Sequence, residues 1–139
     1  MLHNKIKSGE IIIIDKVYNE ISAGDDDLSD WMKTQKGKQI STMDAVVISE
    51  YSNLVNYVQT CKSYNDKARK EWAGNYIADP WIVAFAKVHN LVVVTLETPD
   101  KLRKGEISGK VKIPNMCDYL GIECCDLLTM MREFDFSFK

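Results

Sequence analysis

No apolar run in this 139-residue chain approaches the roughly 20 residues a helix needs to cross a bilayer. Runs such as residues 11–14 and 91–94 are far shorter. The start, "MLHNKIKSGEIIII", has no apolar stretch followed by a small-residue cleavage site, so a cytoplasmic protein with no membrane partner is expected. A dominant charge is missing too: 18 basic and 20 acidic side chains leave a formal charge of −2. Without a polybasic arm or acidic tail, composition does not point to DNA or anionic lipid, and any nucleic-acid site has to be local. Cys61, Cys117, Cys124 and Cys125 contain no CxxC pair and are expected to be reduced thiols, not disulfides or zinc ligands. His3 and His89, the only histidines, lack a Cys or His partner at metal spacing. There is no Ser/His/Asp set, Walker loop, GxGxxG, internal repeat or linker.

What is present is enough apolar sequence, 45% of residues, for a core in a single domain over residues 1–139. Residues 11–14, "IIII", read as a strand buried on both faces, as parallel strands covered by helices are. A short helix that Asp15 caps and Gly24 ends follows directly. Leu28, Trp31 and Met32 lie at helical spacing before Gly37. Met43, Val47, Tyr51, Leu54, Val58 and Cys61 form one stripe in steps of three and four, which predicts the longest helix. A polar helix follows before Gly74. In "NYIADPWIVAFAKVHNLVVVTLETPD", Pro80 sits where a helix's first turn tolerates it. Ile82, Val83, Phe85, Ala86 and His89 cover that helix's buried side, and Asn90 can end it. Residues 91–95 make a second strand, and "ETPDKLRKGEISGKVKIPN" a long polar loop. Pro114 to Leu120 is a helix closed by Gly121, "IECC" a third strand, and "DLLTMMREF" a last helix capped by Asp126.

Strands alternating with helices imply right-handed crossovers and a parallel sheet with helices on both faces. Three strands make a thin sheet, so a strand is expected to be missing at the N-terminus. In open parallel sheets, ligands bind beyond the carboxyl ends of the strands. Glu97 falls just past the second strand, Asp79 starts a helix that opens on the same edge, and Glu20 lies about one turn into the helix after the first strand. Two carboxylates about 4 Å apart repel by roughly 4 kcal/mol at an effective dielectric near 20, so converging acids take up a cation or a proton. Oxygen-only ligands favour Mg²⁺ or Mn²⁺, which can activate water and stabilise charge on a phosphodiester. Each acid also has an ordinary role: Asp79 as a helix cap, Glu20 as a solvated helix acid and Glu97 as a loop acid.

"DKVYNEI", "ADPWIVAFAKVHNLVVVTLE" and "KIPNMCDYLGIECCDLLTMMREFDF", in this order and spacing, resemble the uncharacterised bacterial PIN-like family called domain of unknown function 4411. The resemblance covers nearly the whole chain, and the "ADPW" helix with its "VVT.E" strand is its specific part. It implies a PIN-like (Rossmann-like) three-layer α/β/α fold with a short parallel sheet. It also implies a cluster of acids that binds Mg²⁺ or Mn²⁺ to cut single-stranded RNA, as in the toxins of toxin–antitoxin pairs. Carried over by position, Glu20, Asp79 and Glu97 are the metal-binding and catalytic acids, with Asp100 a weaker substitute for Glu97. The family's first acid belongs to a first strand in a pattern like "LLDSN", and this chain carries no such segment. Relative to the family the chain is therefore expected to be N-terminally truncated and impaired. The alternative is a non-catalytic remnant that self-associates or binds an antitoxin.

Two further groups bear on the same site. Lys101, Arg103, Lys104, Lys110 and Lys112 make a basic loop beside Glu97 that either holds phosphates or is simply solvated. Trp72, Tyr76 and Trp81 lie near Asp79 and either stack bases or pack into the core.

Overall fold

A computed structural model of the chain describes residues 2–134, so the last part of the "REFDF" stretch lies outside the described residues. The helices form where capping groups and apolar spacing coincide. Asp44 accepts hydrogen bonds from the Val46 and Val47 N–H groups and starts α4 (Ala45–Thr60). Asn65 caps α5 (Asp66–Trp72) through Ala68 N–H, and Asp126 caps α8 (Leu127–Glu133) through Thr129 N–H. The α4 stripe buries Val47, Leu54 and Val58, as its spacing requires; Met43 lies ahead of the cap and is 74% exposed. Full burial of each such side chain contributes about 1.5–3 kcal/mol.

Helix α6 (Asp79–His89) packs along α4 and carries Pro80 in its first turn. It ends at Asn90, whose left-handed φ of 54° is tolerated by Asn better than by most residues. Val83, Phe85 and Ala86 are buried as expected, whereas His89 is exposed and rests against the Phe85 ring. Val83 and Ala86 join a core with Leu54, Val58, Trp72, Val93 and Met116, while Phe85 joins Ile14 and Val47 in a second. Helix α7 (Ile113–Leu120) packs on α6 and is closed by Gly121 at φ 70°.

The protein is mixed α/β, mostly helical, with a short parallel sheet. Strands β1 (Val93–Val94) and β2 (Cys124–Cys125) pair in parallel, Val93 opposite Cys124. The expected strand over residues 11–14 contracts to one parallel bridge between Ile14 and Ile40, held by Ile40 N–H to Ile13 O and Asp15 N–H to Ile40 O. Nor are these segments buried on both faces: Ile14 and Val93 are, but Ile12, Val92 and Val94 are exposed. The reason lies in the pairing. In the β1–β2 register the Val94 N–H and C=O point away from β2, and among the described residues no strand lies on that side.

The N-terminal helices also differ in detail. Residues before the first strand form α1 (Leu2–Lys7). Helix α2 (Asp15–Ser22) has no side-chain cap: Ile14 holds the cap position, and Asp15, the first helical residue, accepts from Lys16 N–H and from the N–H and hydroxyl of Thr42. Its end is set at Ala23, one residue before Gly24. Helix α3 (Asp27–Lys33) packs on α2, starts from Asp26 and buries Met32, leaving Leu28 exposed.

Candidate metal centre

The start of α6 opens on a cleft of about 230 Å³, with Glu20, Asp79, Trp72 and Lys110 in its wall. A larger groove of about 460 Å³ lies toward the other end of α6, between Val46 and Val88. Its only charged lining groups are Glu50 and Lys87, so the chemistry favours the smaller cleft.

Asp79 is the first residue of α6, but its carboxylate caps nothing; Ala78 holds the cap position without a side-chain bond. Glu20 is brought to this helix start by a long-range contact, its Oε2 accepting from Ala78 N–H at 2.9 Å. Glu97 follows β1 on a turn fixed by its own N–H donating to Thr95 Oγ1. Its Oε2 is buried without a hydrogen-bond partner, and the nearest cation, Lys112 Nζ, stands at 4.0 Å. Burial first, then the charges of Glu97 and Glu20, push the Asp79 carboxyl up to about 6 against the opposing pull of Lys110. Three acids from distant parts of the chain therefore act on one another here.

Their chemistry suits a hard cation. The donors are all oxygen, one buried carboxylate oxygen lacks a partner, and burial together with like charges favours the protonated form of Asp79. They do not form a closed cage: among the described residues no three His, Cys, Asp or Glu groups stand close enough to hold an ion as they are. Mg²⁺ is usually held by one or two carboxylates with waters and substrate phosphates, so an open set matches its habits.

Asp100 is not part of the cleft. Its N–H donates to Asn115 Oδ1 and its carboxylate accepts from Ser108, which occupies it in bracing the loop. The basic loop divides. Lys101, Arg103 and Lys104 are exposed, Arg103 pairing with Glu106, while Lys110 reaches the cleft and Lys112 approaches Glu97. Lys110 is placed by Ser108, whose hydroxyl donates to the Lys110 carbonyl and accepts from its N–H. The aromatics divide as well. Trp72 is core, Trp81 stacks on Tyr51 beneath Lys16, and Tyr76 is 91% exposed on the turn before Asp79. Sequence reasoning named Trp72 but missed that its indole Nε1–H is buried beside the cleft without an acceptor. All four cysteines are free thiols, and burial beside Cys124 pushes Cys117 up to about 12.

The fold and the cleft define a class: a mixed α/β protein, mostly helical, with interacting carboxylates at the start of one helix. Within it the chain belongs to the family described as Domain of unknown function (DUF4411), whose family model matches residues 1–138. No curated protein and no solved structure matches it. No helix of the described residues is long and apolar enough to cross a membrane.

Proposed function

We propose that this protein is a PIN-like, metal-dependent ribonuclease of the cytoplasm, acting on single-stranded RNA as the toxin of a toxin–antitoxin pair. The charges of Glu97 and Glu20 acting on Asp79, with Asp79 and Glu20 in the wall of one cleft, support this reading. Asp79 and Glu97 bind Mg²⁺ or Mn²⁺ directly, and Glu20, fixed by the Ala78 N–H, completes the negative field. The bound cation supplies Lewis acidity toward a phosphodiester and an acidified water. Lys112 holds Glu97 in place, and Tyr76, exposed at the rim, offers a face on which an unpaired base can stack.

Calorimetric titration with Mn²⁺ tests the assignment. The wild type should bind near pH 7 and lose affinity below about pH 6, as the Asp79 carboxyl takes up a proton. Asp79→Asn combined with Glu97→Gln should abolish binding and cleavage of single-stranded RNA. An unchanged isotherm in that variant would remove these acids from the site.

A second reading has its own support. The unpaired side of β1, with Val92, Val94 and the 80% exposed Leu96 beside it, offers an edge to an added strand. A non-catalytic protein that self-associates or binds an antitoxin would use that edge, and it becomes the better reading if Mn²⁺ does not bind.

A further inference from the structure

The residues around Glu97 do little to hold it by packing. Leu96, Thr98 and Pro99 are all exposed, so the turn that carries Glu97 depends on hydrogen-bonded anchors at its two ends. One anchor is β1, where Thr95 N–H donates to Cys125 O at 2.9 Å and Thr95 Oγ1 accepts from Glu97 N–H. The other is Asp100, separated from Glu97 only by Thr98 and by Pro99, whose ring locks its φ. Asn115 grips the backbone of Asp100 twice: its Oδ1 accepts from the Asp100 N–H and its Nδ2–H donates to the Asp100 C=O, each at 2.9 Å. A side-chain amide that pairs with both backbone groups of one residue fixes that residue's direction as well as its place.

Asn115 is itself firmly mounted. It lies in the first turn of α7, flanked by Ile113 and Pro114 on one side and Met116 and Cys117 on the other, all buried, and its amide does not cap that helix. Lys112 holds the cap position of α7 and approaches Glu97 at 4.0 Å, so the start of this helix meets the Glu97 turn at two points. From another side the Ser108 hydroxyl donates to Asp100 Oδ2 at 3.2 Å, from a backbone paired with Ser63 and Asn65.

We propose that Asn115 is a positioning residue for Glu97: by holding both backbone groups of Asp100 it fixes the turn that presents the Glu97 carboxylate to Asp79. The charge of Glu97 is felt at Asp79, so the turn delivers the carboxylate within electrostatic reach. Without Asn115 the turn keeps its β1 anchor, but Asp100 is held by its side chain alone, through Ser108. The inference rests on the metal-dependent reading for what Glu97 binds. It goes beyond that reading by assigning the geometry of the site to a residue outside the acids. Loss of a group that orients a metal ligand weakens metal binding by about tenfold or more.

The test uses Asn115→Leu, which keeps the size of the side chain and removes both bonds to Asp100. Asn90→Ala, at the far end of α6, serves as a control for lost stability. Each protein is titrated with Mn²⁺ at a temperature where its unfolding curve shows it fully folded. A merely structural role lowers stability and leaves the affinity of the folded protein where it was. Asn115→Leu should instead bind Mn²⁺ about tenfold more weakly, while Asn90→Ala keeps the wild-type isotherm. Wild-type affinity in a folded Asn115→Leu overturns the positioning role and leaves the metal reading standing. An equal loss in Asn90→Ala also overturns it, by assigning the effect to general loosening. If Mn²⁺ does not bind the wild type, the metal reading falls by itself, and the metal-free protein decides about Asn115. There a nuclear Overhauser contact between the Glu97 and Lys112 side chains should be present in the wild type and lost in Asn115→Leu; its persistence overturns the inference. Should Asn115→Leu not fold, Asn115→Ala removes the same two bonds with a good helix former and decides by the same readings.

Discussion

Replacing Asp79 by Asn should make the metal-free protein more stable at neutral pH, because the acid sits in a place that disfavours its charge. Burial is the first cause, followed by Glu97 and Glu20, with Lys110 opposing them. The folded-state value, about 6, lies above the ordinary 3.8, so the folded protein binds the proton more tightly than the unfolded chain. Stability from this group is therefore fully present below about pH 4 and lost as pH rises through about 6. Carried in full, the rise amounts to about 3 kcal/mol. Asp79 is only half-buried and its neighbours are partly screened by solvent, so about 1–1.5 kcal/mol is expected. Asn has the same shape and no charge at any pH. Urea unfolding at pH 7.5 should show the Asn variant more stable by about 1 kcal/mol, a midpoint shift of about 0.5 M. At pH 4.5 the difference should shrink to about a third of that. Saturating Mn²⁺ should raise the midpoint of the wild type and leave the variant where it was. A variant that is less stable than wild type at pH 7.5, or displaced equally at both pH values, would refute the charge-strain argument.

Two further outcomes concern the frame around the cleft. Thr42 is fully buried and both its N–H and its hydroxyl donate to Asp15, so Thr42→Val strips one bond from a half-buried carboxylate; chemical denaturation should show a loss of about 1–2 kcal/mol. Asn90 holds a left-handed helix end, so Asn90→Gly should match or slightly exceed wild-type stability, while Asn90→Ala should cost about 1 kcal/mol and lower the melting temperature by about 3–5 °C.

Local chemistry made much of the helical frame legible. Asp44, Asp126, Asn90 and Gly121 mark helix ends through contacts a few residues long, and the stripe of Val47, Leu54 and Val58 needs no knowledge of what it packs against. Long-range competition is what misled. Asp15 reads as a cap, yet it is the first residue of α2, and its carboxylate also holds Thr42, distant in sequence. "IIII" has the composition of a buried strand, but pairing depends on a neighbour, and the partner at Ile40 sits in a polar stretch with no strand signal of its own. The grouping of Glu20, Asp79 and Glu97 followed from where strand ends lie in parallel sheets. Nothing local announced that the Trp72 N–H is buried without an acceptor, or that Lys110, of the five basic residues in its loop, lines the cleft.

Helix α6 gives Asp79 an unusual mounting. Phe85 is gripped by one apolar cluster, and Val83 and Ala86 by the other. A helix held on both sides cannot melt by itself; an opening that releases it has to breach one cluster or the other. By contrast α8 buries no side chain among its residues and α1 buries only Ile6, so the ends of the described chain can fray at little expense to either cluster. The backbone amides of α6 belong with those that exchange only on near-global unfolding, and the acid at its first residue keeps its place through every lesser fluctuation.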